Sequence, residues 1–289
     1  MRRWQQPRAL AATGAKYLIL GALAFLFVAP LVFMVSSSFK SDRQIFDDLR
    51  SFVGVFLPGG LTTNYETVLT RVPFLQYLGN STVIVVATVI PGLFINSLAA
   101  FALARLRWPG RKILLGFIVW VIIAPFEAIY IPLFLMINEL PWVDGTTSWV
   151  DTLQGQIIPF VADAFSIFLF YQTFLTLPRE LDEAVVVDGG GAWTVYRHIA
   201  VPLSGPVFAT AAIFHGLGMY SAYLWPQMIT RSEETRPLTI GILSFFGAGV
   251  PKWGAILAYS TLALAPILIL FLLFQRWFVE SMANTGIKG

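Results

Sequence analysis

No Lys, Arg, Asp or Glu lies between Lys16 and Lys40, and none lies between Arg71 and Arg105. One helical crossing of a bilayer core needs roughly 20 apolar residues, so these two gaps alone commit the chain to a membrane. Six stretches follow the rule, near 17–36, 82–104, 113–136, 157–177, 204–226 and 257–276. The third holds only Glu127 and the fourth only Asp163; the fifth and sixth, up to Arg276, hold no acid or base except His215. Only 12% of the 289 residues are charged, about half the share of a soluble domain, too few to coat a water-exposed surface. The expected fold is all-α, one membrane domain over 1–289 with six transmembrane helices. The first stretch is longer than the apolar core of a signal peptide and no clear small-x-small cleavage site follows it, so it reads as a retained span.

Lys and Arg near span ends set orientation. Arg2, Arg3, Arg8 and Lys16 precede span one; Arg105, Arg107, Arg111 and Lys112 fill the loop after span two. Arg179 and Arg197 lie between spans four and five, and Arg276 and Lys288 end the chain. With six spans these four segments share one side, which is then the cytoplasm and holds both termini. On the other side, Glu139, Asp144 and Asp151 occupy the loop after span three. The loop 37–80 is mixed in charge and carries Pro58-Gly59-Gly60. It is expected to be a small, partly helical element on the outer membrane surface.

The loop between spans four and five reads Pro178-Arg179-Glu180-Leu181-Asp182-Glu183-Ala184-Val185-Val186-Val187-Asp188-Gly189-Gly190-Gly191 and runs on to Ile199-Ala200-Val201-Pro202. Gly189 follows Glu183 by six residues, Ile199 follows Gly189 by ten, and Pro202 follows by three more. This spacing resembles the "EAA" loop of ABC importer permeases, although Val185 replaces the second Ala. The resemblance extends to Asn96-Ser97-Leu98-Ala99-Ala100-Phe101-Ala102-Leu103-Ala104-Arg105, Trp108-Pro109-Gly110-Arg111, Pro132-Leu133-Phe134 and Tyr223-Leu224-Trp225-Pro226. These segments are similar to the carbohydrate branch, which contains the maltose-type inner-membrane subunits. Tyr220-Ser221-Ala222-Tyr223 departs from the Trp-Asn of many relatives. The tail 280–289, ending Thr285-Gly286-Ile287-Lys288-Gly289, is similar to one that in that branch reaches between the ATPase subunits.

The resemblance implies a permease core over 81–279 in a bacterial or archaeal inner membrane. It implies a cytoplasmic coupling helix that docks on an ATPase through Glu183, Ala184, Asp188, Gly189, Ile199 and Pro202. Partners would be a second homologous permease, two ATPase subunits, an extracytoplasmic solute-binding protein and a sugar-like solute. ATP and Mg would be bound by the ATPase, with no cofactor in this chain.

The residue chemistry of the loop supports a stiff connector. An exposed Glu183 can pair with a basic partner through a charge-assisted bond. Asp188-Gly189 suits a helix end that needs positive φ. Gly190 and Gly191 read equally as a loose connector, and Pro202 fits the first turn of span five.

Catalysis has little to stand on. Cysteine is absent, there is no phosphate-binding G-x-x-x-x-G-K-[ST] loop, and His198 and His215 are too far apart to suggest a metal pair. Buried acids in spans are functional candidates by default. Glu127 lies roughly 22 Å into span three, in its outer half. Asp163 is in the outer half of span four, and Tyr220, Tyr223 and Trp225 end span five on the same side. Carboxylates and aromatic faces suit a sugar. The alternatives are structural: Glu127 stabilises a kink at Pro125, Asp163 caps a broken helix, and the aromatics form an interfacial belt. No Lys or Arg lies at depth, which favours a neutral carbohydrate over glycerol 3-phosphate. A self-contained secondary transporter or channel is the reading of another class, but no internal repeat relates spans 1–3 to 4–6.

Overall fold

A computed structural model describes residues 6–125, 127–142, 145, 147–246 and 250–286. Among these every regular element is helical. The order is α1 Gln6–Ser37, α2 Asp42–Asp48, a 3-10 turn Gly54–Phe56, α3 Thr63–Arg71, α4 Phe74–Arg105, α5 Arg111–Ile123, α6 Glu127–Asn138, α7 Leu153–Val161, α8 Ala164–Thr176 and α9 Arg179–Val187. Then come α10 Ala192–Val195, a π-helical turn Tyr196–Ala200, α11 Val201–Leu203, α12 Gly205–Ser221, α13 Leu224–Ile229, α14 Leu238–Gly241, a second 3-10 turn Ile242–Phe245 and α15 Trp253–Gly286. Arg2, Arg3, Asp144, Ile287, Lys288 and Gly289 lie outside the described residues, as do the side chains of Arg8, Arg276 and Thr285.

Three helical stretches are long and apolar enough to cross a membrane: Thr13–Ser37, Phe74–Arg105 and Leu153–Thr176. Two further pairs reach that length only when joined across a bend. These are α5 with α6, bent by 107°, and Ala192–Leu203 with α12, bent by 77°. In α15 the stretch Trp253–Ile269 is apolar. Expected stretch 113–136 is therefore not one straight helix. Ala124, held extended at φ −66° and ψ 133°, precedes Pro125, and a residue before proline is pushed out of the helical region. Stretch 204–226 also differs. Its helix starts at Gly205, with Pro206 in its first turn, while Pro202 belongs to the short α11 before the bend. It ends at Ser221, because Ala222 is extended, and α13 follows.

The chain divides into two compact units, residues 1–74 with 242–271, and 75–241 with 272–289. In the first, the expected partly helical loop is α2, α3 and a 3-10 turn, and it ends at α4, six residues before Asn80. Lys40 is only 1% exposed; it pairs with Asp48 at 2.9 Å and donates to the Gly54 carbonyl at 2.8 Å. Asn64 Nδ2 donates to the carbonyls of Ser38 and Lys40, each at 2.8 Å. Gly59 sits so close that a Cβ there would meet the Phe39 carbonyl oxygen at 2.1 Å. Along α1 large apolar side chains such as Tyr17, Leu18, Leu26 and Phe27 are exposed, a pattern that water does not tolerate and a lipid or protein contact does.

The core of the second unit joins Ala100, Phe101 and Ala104 of α4 to Phe170 and Phe174 of α8, to Val195, Tyr196 and Ala200, and to Val207 and Ala211 of α12. Lipid tails are as apolar as these side chains, so close packing rather than water exclusion holds them. The two alanines of α4 let the neighbours approach. Ser97 Oγ and the Tyr196 hydroxyl share a buried hydrogen bond of 2.8 Å, which fixes the π turn against α4.

Candidate functional site

Two places in the second unit carry chemistry. At α9, Glu183, Ala184, Asp188 and Gly189 are exposed, as are Val186 and Val187, the latter at 86%. Val185 faces the core. The helix closes in a Schellman motif: Gly189 N donates to Val186 O at 3.0 Å and Gly190 N to Val185 O at 2.8 Å. Gly189 has φ +80°, as its sequence position suggested. Gly190 is not a loose connector, since a Cβ there would meet Val185 Cγ1 at 2.5 Å and Val185 O at 3.0 Å. Gly191 is extended and has open space around it. Ile199 packs against the core and Pro202 is exposed.

Arg105 ends α4 with its side chain 4% exposed. Its guanidinium donates to Asp182 Oδ2 at 3.1 Å and to the Leu177 carbonyl at 2.7 Å. A cation at the C-terminal ends of α4 and α8 also meets the negative ends of their dipoles. The sequence offered Arg105 as an orientation charge and as the end of a segment that resembles the family; nothing in its spacing pointed to Asp182.

The second place is a cavity of about 660 Å³. Of the expected pathway residues, Asp163 and Trp225 line it, whereas Glu127, Tyr220 and Tyr223 are not part of its described wall. Glu127 is exposed in the first turn of α6, where a carboxylate suits the helix dipole, and Tyr130 lines the cavity one turn on. Trp225 Nε1 donates to the Gly155 carbonyl at 3.1 Å, and the Tyr130 and Phe160 rings lie 5.8 and 5.7 Å from its own.

Asp163 stands at the break between α7 and α8, where backbone groups lose their helical partners. Non-helical backbone at membrane depth must find partners or line a cavity, and here side chains supply them. Asp163 Oδ2 accepts from Ser166 N at 2.8 Å and from Ser166 Oγ. Asn96, fully buried on α4, accepts from Asp163 N at 3.1 Å and donates to Val161 O at 3.2 Å. His215 of α12 reaches Phe160 O at 3.0 Å. A carbonyl only accepts, so the ring carries its hydrogen on Nε2. Gly92 leaves room for this, since a Cβ there would come within 3.0 Å of Val161 O and 3.1 Å of His215 Cε1. Asp163 thus acts as a cap while also facing the cavity. The parts of Asn96 and His215 were missed in the sequence. The available signal was a polar side chain in a charge-free run paired with a proline, Pro159, inside another.

Asp151, in the loop before α7, has φ +61°. Its Oδ1 accepts from Arg231 N at 2.8 Å, Ser232 N at 3.0 Å and the Thr235 hydroxyl. Burial pushes its carboxyl up, but the bonds from Thr235, Arg231 and Ser232 outweigh this and hold it below the usual carboxylate range.

A family model described as "Binding-protein-dependent transport system inner membrane component" matches residues 92–284. An arabinooligosaccharide transport system permease of Halalkalibacterium halodurans is 30% identical over 270 residues, 92% of this chain and 93% of the relative. A trehalose/maltose transport system permease of Thermococcus litoralis is 29% identical, covering 94% and 96%. An sn-glycerol-3-phosphate transport system permease of Brucella abortus is 29% identical, covering 94% and 95%. One chain in a crystal structure of a bacterial ABC transporter involved in alginate import superposes with a TM-score of 0.75 at 23% identity, covering 94% of this chain and 98% of that one. It shares the fold.

Proposed function

The chain belongs to the inner membrane components of binding-protein-dependent transport systems, and from that premise we propose that it is the permease subunit of an ATP-driven sugar importer. The family match over residues 92–284, which contains α9 and all of the described cavity wall except Ser81 and Ile84, carries this reading. The chain crosses the membrane six times, counting each bent pair once and the shorter apolar stretch Trp253–Ile269 as the sixth crossing, with both termini in the cytoplasm. A second homologous permease completes the pathway, two ATPase subunits bind ATP and Mg, and a solute-binding protein delivers the solute from outside. Helix α9 is the coupling helix. Its exposed Glu183 pairs with a basic group of the ATPase, and Val186 and Val187 give that contact an apolar floor. Asp188 and Gly189 hold its end, while Ile199 and Pro202 lead the motion toward α12.

The solute is a neutral carbohydrate. Asp163 faces the cavity, and its described wall holds no Lys or Arg, so an anion would find no such cation to pair with there. The relatives named for arabinooligosaccharides and for trehalose and maltose support this. The relative named for sn-glycerol 3-phosphate supports a phosphorylated polyol as second reading.

Reconstitution in liposomes tests both. The chain alone should hydrolyse no ATP and move no solute. With its partner permease, ATPase and binding protein it should take up a neutral oligosaccharide when ATP is supplied. Uptake by the chain alone would identify a self-contained transporter, and uptake of glycerol 3-phosphate but no neutral sugar would establish the second reading.

A further inference from the structure

Both functional places hang from one stretch of α4. Asn96 holds the α7–α8 break at the cavity wall through Val161 O and Asp163 N. Nine residues on, about 13 Å along the helix, Arg105 holds Asp182 of α9 and Leu177 at the end of α8. Between them Ser97 is tied to Tyr196, and Ala100, Phe101 and Ala104 are packed into the core. A helix segment gripped along its length moves as a rod. Arg105 is the sole cation of that rod and, at 4% exposure, has almost no water to replace a lost partner.

We propose that Arg105 is a positioning residue of the transport cycle. It locks α9 to the end of α4, so that a displacement of α9 is delivered through the Asn96–Arg105 segment to the cavity wall. The guanidinium suits this task because its planar fork holds two acceptors at once in fixed directions. Asp182 lies in the early part of α9 and shares a side of the helix with core-packed Val185, three residues on, whereas Glu183 and Val187, four residues apart, are exposed, so the pair can persist while those two residues bind a partner. Contiguous hydrogen bonds and packed side chains of this kind are what carry coupling between distant sites. The proposal rests on the reading of α9 as the coupling helix.

The test uses the complete complex with its ATPase and binding protein in liposomes, measuring solute moved per ATP hydrolysed. Arg105→Gln and Asp182→Asn should each keep the ATPase subunits bound and hydrolysing. Each should cut solute moved per ATP by about five-fold or more, the lower end of usual site-to-site coupling. The double variant should be no worse than the poorer single variant, because both remove one link. Arg105→Lys should recover part of the ratio by keeping the charge and one bond. An unchanged ratio in the single variants overturns the proposal. Additive losses in the double variant also overturn it, as does a fall in ATPase retention and hydrolysis equal to the fall in uptake, which marks a merely structural role. Failure of the reading of α9 would look different: Glu183→Lys would then leave ATPase binding and the ratio at wild-type values.

Discussion

Replacing Gly189 separates the backbone demand at the end of α9 from every other effect. The residue sits at φ +80°, and nothing lies within 4 Å of a Cβ built there. A side chain therefore meets no clash, and the whole cost is conformational. An ordinary L-residue in the left-handed region costs about 1–2 kcal/mol. At 1.4 kcal/mol per tenfold, that lowers the capped population by about 5- to 30-fold. The Gly189–Val186 and Gly190–Val185 hydrogen bonds are lost with it. Asn adopts this conformation more readily than Ala although it is larger. Solute-stimulated ATP hydrolysis in the reconstituted complex is the assay. Gly189→Ala should lose stimulation by up to that factor, and Gly189→Asn should retain distinctly more. If Asn is as poor as Ala, or poorer, size and not backbone conformation controls the position, and the reasoning fails.

Three further outcomes are expected. Glu183→Lys should leave insertion intact and reduce ATPase co-purification; wild-type stoichiometry with wild-type stimulation would remove Glu183 from the contact. Asn96→Leu should strip two backbone groups at the α7–α8 break of partners, at about 1–3 kcal/mol each. Thermal unfolding in detergent should show the loss, and an unchanged midpoint would mean the break finds other partners. Asp151, whose carboxyl is held low, should stabilise the 231–235 loop at all pH values above the ordinary carboxylate range. That contribution should disappear only as pH falls below about 3.9 and through the lowered folded value. Limited proteolysis at Arg231 from pH 7 to 3 reads it, and cleavage that already rises near pH 6 would refute the assignment.

How much was readable beforehand depends on whether a residue's partner lies nearby in sequence. Positions decided locally were legible: the charge-free run of α4, the left-handed Gly189, and the capping of a break by Asp163, which was one of two readings held open. Partners far apart in the chain were not. Asp182 lies 77 positions from Arg105 and Val161 lies 65 from Asn96, and no periodicity in either segment encodes such a pairing. The bends at Ser204 and Ala124 fall between: Pro125 announced the second locally, whereas for the first the helix start was expected at Pro202 and lies at Gly205, and apolar length argued for one continuous helix in both. Glu127 and Tyr130 illustrate the finer limit. A carboxylate inside an apolar run drew the eye, yet it is the tyrosine a turn later that reaches the cavity.

The break between α7 and α8 has one more consequence. Its bonds to Asn96, at 3.1 and 3.2 Å, already stand at the long end of the useful range. Sliding α4 by the rise of a single residue, 1.5 Å, would carry both beyond it. Such a wall does not stretch in proportion to the push it receives. A slide of that size would release Val161 O and Asp163 N from Asn96 together. A switch with a threshold gives two discrete states where a spring would give a continuum, and discreteness is what keeps the two faces of a membrane from being open at once.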